Sequence, residues 1–498
     1  MKKIAILFMV LLAGTSCVDL LQKPQSSITP ETIELSDQLL ESMSNGMYKA
    51  WWGENYGFNC RLASLALAAD DMMSGDVSKP RNTLDDQMRV PVDNVDVRVL
   101  WQEFYKTIFT ANNIIEQIES NNSIGPDITD KYLGEAYFIR ALMYFYVVRL
   151  WGDAPAITSS SAAADIDGDA SIPRKSVADI YNRIIVPDAL KAESLLPDKS
   201  RDSYGQAPTK WAAKMLLADV YLNMAGWPLK DVSKYADAAA KAKEVVQQSP
   251  HSLVNEYKTL WLKSMSSDKT EHIFALRHTM TYLPSQYAIS YLGVEENGWS
   301  DYVADPVFFN NFPDDNRKKF CFVTQTVDKS GKTFTWEQFA TKSPYIRKYR
   351  NYGGCSTWGI EGDNTSRSSL SEGLTPIYRY ADALLFYAEA VNKAEGGPDA
   401  LAYECINRVR ARAFGDDKHD LSGLSQEEFD KAVFDEFGWE NVFEFKRWFQ
   451  LVRTERVDEQ LAKNPSVGAR VNVNKENYLF PVPVRQVELR KWQNNPGY

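Results

Sequence analysis

The stretch APTKWAAKMLLADVYLNMAGWPLKDVSKYADAAAKAKEVVQQSP, residues 207–250, decides the fold. Apolar and small residues recur in it at helical intervals: Ala212, Ala213, Leu217 and Tyr221, then Ala236, Ala239, Ala242 and Val246. Residues three and four apart share one face of an α-helix. The spacing therefore predicts two helices, split at GWPLKD (226–231). Small residues on the facing stripes let two antiparallel helices approach closely.

Outward from this pair the same pattern returns. PIYRYADALLFYAEAVNKAEGGPDALAYECINRVRARAFG, residues 376–415, reads as two helices around a Gly-Gly-Pro turn. DKYLGEAYFIRALMYFYVVRLWG (130–152) ends at Gly152 with Pro155 beyond it, and SVADIYNRIIVPDALKAESLLP (176–197) supplies its partner. SDQLLESMSNGMYKAWW (36–52) and VLWQEFYKTIFTANNIIEQIES (99–120) form an earlier pair. Helix–turn–helix units repeating at about 34 residues follow tetratricopeptide logic. The expected fold class is mostly α, with tetratricopeptide-type pairs over about 36–250 and 376–455. Trp101, Tyr105, Tyr137 and Trp211 fall inside the periodic patterns and read as core. Between 251 and 375 Gly, Pro, Asn, Ser and aromatic residues dominate, with short strand-like pieces such as HIFALRHT (272–279) and YIRKYR (345–350). A loop-rich insert of this length is usually functional.

The start of the chain has a separate logic. Lys2 and Lys3 precede an apolar run from Ile4 to Ala13, and Gly14, Thr15 and Ser16 lead to Cys17. The run is far short of the roughly 20 residues a spanning helix needs. It reads as a signal peptide over 1–16, with Cys17 as the lipid-carrying mature N-terminus, in a relaxed lipobox. Residues 17–35 then form a polar tether, and 36–498 one large domain.

Composition narrows the function. A net charge of −10 argues against nucleic acid and anionic membrane as partners. The cysteines, Cys17, Cys60, Cys321, Cys355 and Cys405, show no metal or redox spacing, and a disulfide is not predicted. His272 and His278 lie on one face of a strand, with no third ligand evident, so no metal site is expected. The 13 Trp, 25 Tyr and 23 Phe exceed ordinary need, and some suit a binding surface.

Several blocks resemble the SusD/RagB family of surface lipoproteins from Bacteroidetes. They are GEAYFIRALMYFYVVRLWGDAPAI (134–157), RYADALLFYAEAVNKAEGGPDALAYECINRVRARA (379–413), LWQEFYKTIFTANNIIEQI (100–118) and NYLFPVPVRQVELRKWQNNPGY (477–498). The lipid-type Cys17 agrees with them. In FDEFGWENVFEFKRWFQLVR, residues 434–453, Asn441–Phe445 replaces a Gly-His step often seen in the family, while Arg447 and Trp448 keep its end. The expectation there is the same helix with altered packing. The resemblance implies a hinged lid over a TonB-dependent, SusC-like transporter of the outer membrane. Such a lid binds oligosaccharides or other nutrients, passes them on, does no bond chemistry and needs no cofactor.

The family's ligand residues follow no motif, so candidates come from the chemistry of sugars. A pyranose has one rather apolar C–H face that stacks on Trp or Tyr, while polar groups at the rim take its hydroxyls. YLGVEENGWSDYVADP (291–306) offers Tyr291, Trp299, Asp301 and Tyr302 beside Gly298. NYGGCSTWGIEGDN (351–364) offers Tyr352, Trp358 and Asp363, and LAADDMMSGDVSKPRN (67–82) adds Asp70, Asp71 and Arg81. The bland alternative is that these rings only pin loops to the helices. DDNRK (314–318) reads as a turn cap, and Asn364-Thr365-Ser366 as a chance glycosylation match. Two rival functions stand beside the lid: peptide capture in a helical groove, and glycoside hydrolysis by a carboxylate pair.

Overall fold

The computed structural model describes residues 35–498 apart from 53–56, 76–89, 122, 161–170, 203–205, 263–267, 280–289, 329, 351–372 and 463–474. Cys17 and the tether before Leu35 lie outside the described residues, as do Arg81, Tyr352, Trp358, Asp363 and Asn364.

Helices dominate. The first are α1 (Asp37–Trp52), α2 (Gly57–Ala66), α3 (Val95–Glu119) and α4 (Pro126–Trp151). Then follow α5 (Val186–Leu195), entered through a single π turn at Tyr181–Ile185, α6 (Lys210–Ala225) and α7 (Lys234–Gln248). Consecutive helices pack on one another: α3 on α4, α4 on α5, α5 on α6 and α6 on α7. The stack continues without a break to α10 (Tyr380–Glu395), which lies against α7. Helix α10 in turn carries α11 (Ala400–Phe414) and α12 (Gln426–Glu440). Each helix thus buries two faces, and α4 and α6 are buried almost all round, as helices apolar on every side must be.

Turn chemistry sets the ends. Pro126 opens α4, where its missing N–H costs nothing, and Gly152 closes it at φ 70°. Gly396 closes α10 at φ 78°, and Asp399 caps α11 by accepting from the Ala402 N–H at 2.7 Å. Trp101, Tyr105, Tyr137 and Trp211 are all buried. On α7 the buried stripe is Ala238, Ala239, Ala242 and Val245, while Ala236 is exposed and Val246 half-buried. The expected stripe is displaced because α7 is wedged between α6 and α10, so its buried face is set by two partners.

The strands are few and short. Strand β1 (Met72–Ser74) comes from the helical half of the chain, yet pairs antiparallel with β3 (Tyr302–Ala304) of the insert. With β4 (Phe322–Val323) and β5 (Tyr345–Ile346) they form a sheet in the order β1-β3-β5-β4. Separately, β2 (His272–His278) pairs antiparallel with β6 (Gly373–Arg379), which runs straight into α10. His278 shares a 2.7 Å hydrogen bond with Thr375 Oγ1, and its ring lies against Trp52. Short helices α8 (Pro306–Asn311) and α9 (Asn316–Cys321) follow β3. Asp315 of DDNRK caps α9, accepting from the Arg317 and Lys318 N–H groups.

The insert is joined to the helices by buried charge. Arg379 Nη1 reaches Glu271 and Glu440, each at 2.8 Å, and Arg412 reaches the same two carboxylates at 2.5 Å. Arg317 bonds Asp315, Glu436 and Glu440, and Lys348 bonds Glu444 at 2.7 Å. Burial pushes the Glu440 carboxyl up, but Arg412, Arg379 and Arg317 outweigh it and hold the group down to about 2. Buried ion pairs of this kind are costly to break singly, because one partner is then left charged and alone.

These contacts also break the helix expected over 434–453. Helix α12 stops at Glu440, and α13 (Arg447–Arg453) begins after a turn in which Phe443 and Phe445 take φ 64° and 62°. Side chains of the insert hold that turn by its carbonyls. Lys348 Nζ donates to Val442 O at 2.7 Å, and the Tyr349 hydroxyl to Phe443 O at 2.6 Å. Left-handed backbone at a bulky residue costs about 1–3 kcal/mol and persists only where surroundings over-determine it. Helix α14 (Val457–Leu461) follows.

Candidate site around Trp299

The loop between Leu292 and β3 holds Trp299. It opens with a 3₁₀ turn at Val294–Glu296 and passes through left-handed backbone at Asn297 (φ 58°) and Ser300 (φ 47°). Gly298 donates its N–H to Gly293 O at 2.8 Å, and Ser300 donates to Leu292 O at 2.9 Å. A Cβ on Gly298 would lie 2.2 Å from the Leu292 Cβ, so only glycine allows this closure.

Two carboxylates lock the loop from outside. Glu295 accepts from the Ala340 N–H at 2.8 Å and the Tyr345 hydroxyl at 2.5 Å. Glu296 receives both ends of the Arg350 guanidinium at 2.9 Å, a two-point geometry that fixes direction as well as distance. Trp299 is nevertheless 42 % exposed, and Val294 of the same loop 46 %. Large rings are normally covered, so an exposed one on a pinned loop is the informative exception.

Three described residues, at positions 75, 290 and 350, bond to this stretch. Residue 75, the last described before 76–89, donates its N–H to Asp301 O at 3.4 Å. Ser290, the first described after 280–289, accepts from the Asp301 N–H at 2.9 Å. Arg350, the last described before 351–372, is the partner of Glu296. Gly75 and Arg350, the described residues that precede 76–89 and 351–372, thus bond within the stretch that holds Trp299.

Other candidates lie beneath it. Tyr291 and Tyr302 are 2 % and 1 % exposed, their rings 5.2 Å apart, with Tyr349 at 5.5 Å from Tyr291 and Ser64 Oγ at 3.0 Å from the Tyr302 hydroxyl. Asp301 is buried too, its main chain tied to residues 75 and 290. Asp71 is buried and accepts from the Phe443 N–H at 2.9 Å. Burial, and then the neighbouring Asp70 carboxylate, push Asp71 up to about 7. Tyr291, Tyr302 and Asp301 flank the loop, whereas Asp71 lies at the far end of the β1–β3 ribbon, and all four side chains are buried. Asp70 is engaged by Arg447.

Sequence reasoning put Trp299 forward as a candidate but not the contacts that hold its loop. Glu296 and Arg350 stand 54 positions apart, and no local pattern announces their pairing. Chemically, the loop offers an exposed flat ring on a support whose carboxylates, Glu295 and Glu296, are already bonded. Such a surface favours stacking and capture. Among the described residues no group of three or more His, Cys, Asp and Glu is arranged to hold a metal ion.

Comparison with known proteins follows the fold. A family profile described as "Starch-binding associating with outer membrane" matches residues 19–222, and one described as "SusD family" matches residues 324–498. SusD-like protein P2 of Formosa agariphila is 30% identical, with 100% of both chains covered. A SusD superfamily protein from Parabacteroides distasonis superposes with a TM-score of 0.78 at 25% identity, over 93% of this chain and 100% of the other. A structure named as a laminarin-binding SusD-like protein superposes at 0.73 with 22% identity, over 93% and 99%. The mostly helical architecture with few short strands is common to this superfamily.

Proposed function

The chain belongs to the SusD family, and from that premise we propose that it captures oligosaccharides at the outer membrane and delivers them, as a lid, to a SusC-like TonB-dependent transporter. It cleaves nothing. Trp299 carries the reading, as an exposed indole on a loop held rigid by Glu295 and Glu296. A sugar ring laid on a preset indole loses little freedom of the protein in binding. Arg81, Tyr352 and Trp358 complete the site in this reading. Gly75 and Arg350, the described residues just before their segments, bond to the Trp299 loop stretch, which supports including them. The laminarin-binding neighbour supports a glycan as the ligand class.

Attachment is assigned to Cys17. Among the described residues no helix is long and apolar enough to cross a membrane. Several acyl chains on one residue, at about 0.8 kcal/mol per buried CH₂, anchor a protein firmly. The family description names the outer membrane as the place.

Affinity electrophoresis through gels containing laminarin, xyloglucan, starch, mannan or a charged pectin tests the reading. The purified protein is expected to be retarded by at least one neutral polysaccharide and to release no hydrolysis products. Trp299→Ala should weaken the retardation about tenfold, the usual effect of removing a central aromatic contact. Hydrolysis products, or no retardation by any glycan, would overturn it.

A further inference from the structure

A second cavity lies away from Trp299, at the opposite end of the β1–β3 ribbon. Its volume is about 450 Å³, within the usual range of small-molecule sites. Helix α12 forms one wall with Lys431, Asp435 and Trp439, spaced four residues apart and so on one helical face. Helix α8 forms the other with Phe308 and the exposed Asn311. Asp70 and Arg447 make the floor.

The charged groups of this cavity are already bonded within its own walls. Arg447 bonds both oxygens of Asp70, at 2.7 and 2.9 Å. Lys431 pairs with Asp435. Asp305 caps α8, accepting from the Val307 and Phe308 N–H groups at 2.7 and 3.0 Å. An anion would find each cation already neutralised and a third carboxylate, Asp305, beside them. The cleft still offers the half-buried Trp439 ring, held against Phe312 at 6.3 Å, beside carboxylate, amide and guanidinium edges. A flat ring flanked by hydrogen-bonding groups, with no cation among the described lining residues left unpaired to hold an anion, matches a neutral polyhydroxylated ligand.

We propose that the α8–α12 cleft is a second carbohydrate subsite, which takes a short neutral oligosaccharide independently of the Trp299 surface. The proposal rests on the glycan-binding reading above. Asp305 N–H bonds Asp71 O at 3.1 Å at one end of the ribbon, and residue 75 bonds Asp301 O at the other. Strands of three residues separate those ends by about 10 Å. One long glycan reaching both subsites would bind more tightly than its fragments, since the second contact is then intramolecular.

The test uses isothermal titration of the whole mature protein with a short oligosaccharide from whichever neutral glycan retards it. Asn311→Trp fills the cleft from an exposed helical position, and unchanged thermal melting verifies its fold. Trp439→Ala is the second variant. Two oligosaccharides should bind per wild-type chain, and one per chain of Asn311→Trp, Trp439→Ala or Trp299→Ala. For the intact polysaccharide each variant should lose about tenfold in affinity. A single oligosaccharide per wild-type chain, lost in Trp299→Ala and untouched in Asn311→Trp, would overturn the second subsite and leave the proposed function standing. No binding of any neutral glycan by the wild type would overturn both. Binding of the charged pectin that Asn311→Trp abolishes would overturn the neutral ligand class.

Discussion

Arg447 holds Asp70 across 377 positions of the chain, Nε to Oδ1 at 2.7 Å and Nη2 to Oδ2 at 2.9 Å. The pair ties the segment entering β1 to the first turn of α13, so the start and the end of the fold close on each other. Its third nitrogen, Nη1, bonds Gln450 at 2.6 Å, and the guanidinium lies over the Phe434 ring.

Arg447→Met should lower stability by about 3–5 kcal/mol, because Asp70 is left charged and buried without its partner. Asp70→Asn combined with Arg447→Met should recover part of the loss. Denaturant unfolding of both variants checks this; equal stability of the single and double variants would refute the coupling.

Asp71 should make stability fall as pH rises from about 4 to about 7. Its folded carboxyl titrates near 7, because burial and the adjacent Asp70 oppose ionisation, with Arg447 and the Phe443 N–H only partly offsetting them. In the unfolded chain it titrates near 3.9. Between those values the folded form keeps a proton that the unfolded form has lost, so its contribution declines, by roughly 4 kcal/mol in all. Asp71→Asn keeps an acceptor for Phe443 and removes the titration. The wild type should therefore lose stability relative to the variant between pH 4.5 and pH 7.5. A flat difference would show that Asp71 does not titrate there.

Gly298→Ala leaves Trp299 in place but removes its aim. The added methyl would lie 2.2 Å from the Leu292 Cβ and 2.3 Å from its backbone O, so the loop closure must open. Glycan affinity should drop as far as in Trp299→Ala, with about 1–3 kcal/mol lost from stability. Full retention of affinity would show that the preset loop does not matter.

Cys17→Ala should move the protein from the membrane fraction to the soluble fraction, without altering glycan binding by the purified body. Retention in the membrane fraction would reject the anchor.

The helical pairs were legible because their information is local. Ala212, Ala213, Leu217 and Tyr221 repeat at the period of the helix they form, and Gly396 and Asp399 mark where helices end and begin. The strand HIFALRHT, the capping role of Asp315 and the core positions of Trp101 and Trp211 follow from similarly short patterns. The break between α12 and α13 was not legible. Lys348, Tyr349 and Arg379 impose it from positions about 60 to 95 residues away, through carbonyls that carry no signature in the sequence.

The same division applies to the site. By itself the sequence determined the mostly helical fold, and it placed Tyr291, Trp299 and Tyr302 in one short stretch of the region read as a loop-rich insert. Only the tertiary structure decided that Trp299 faces outward while the two tyrosines are buried. Periodicity and caps act over a few residues and survive in any reading of the chain. Exposure depends on which distant side chains cover a ring, here Tyr349 and Ser64, and that choice is made when the insert docks on the helices.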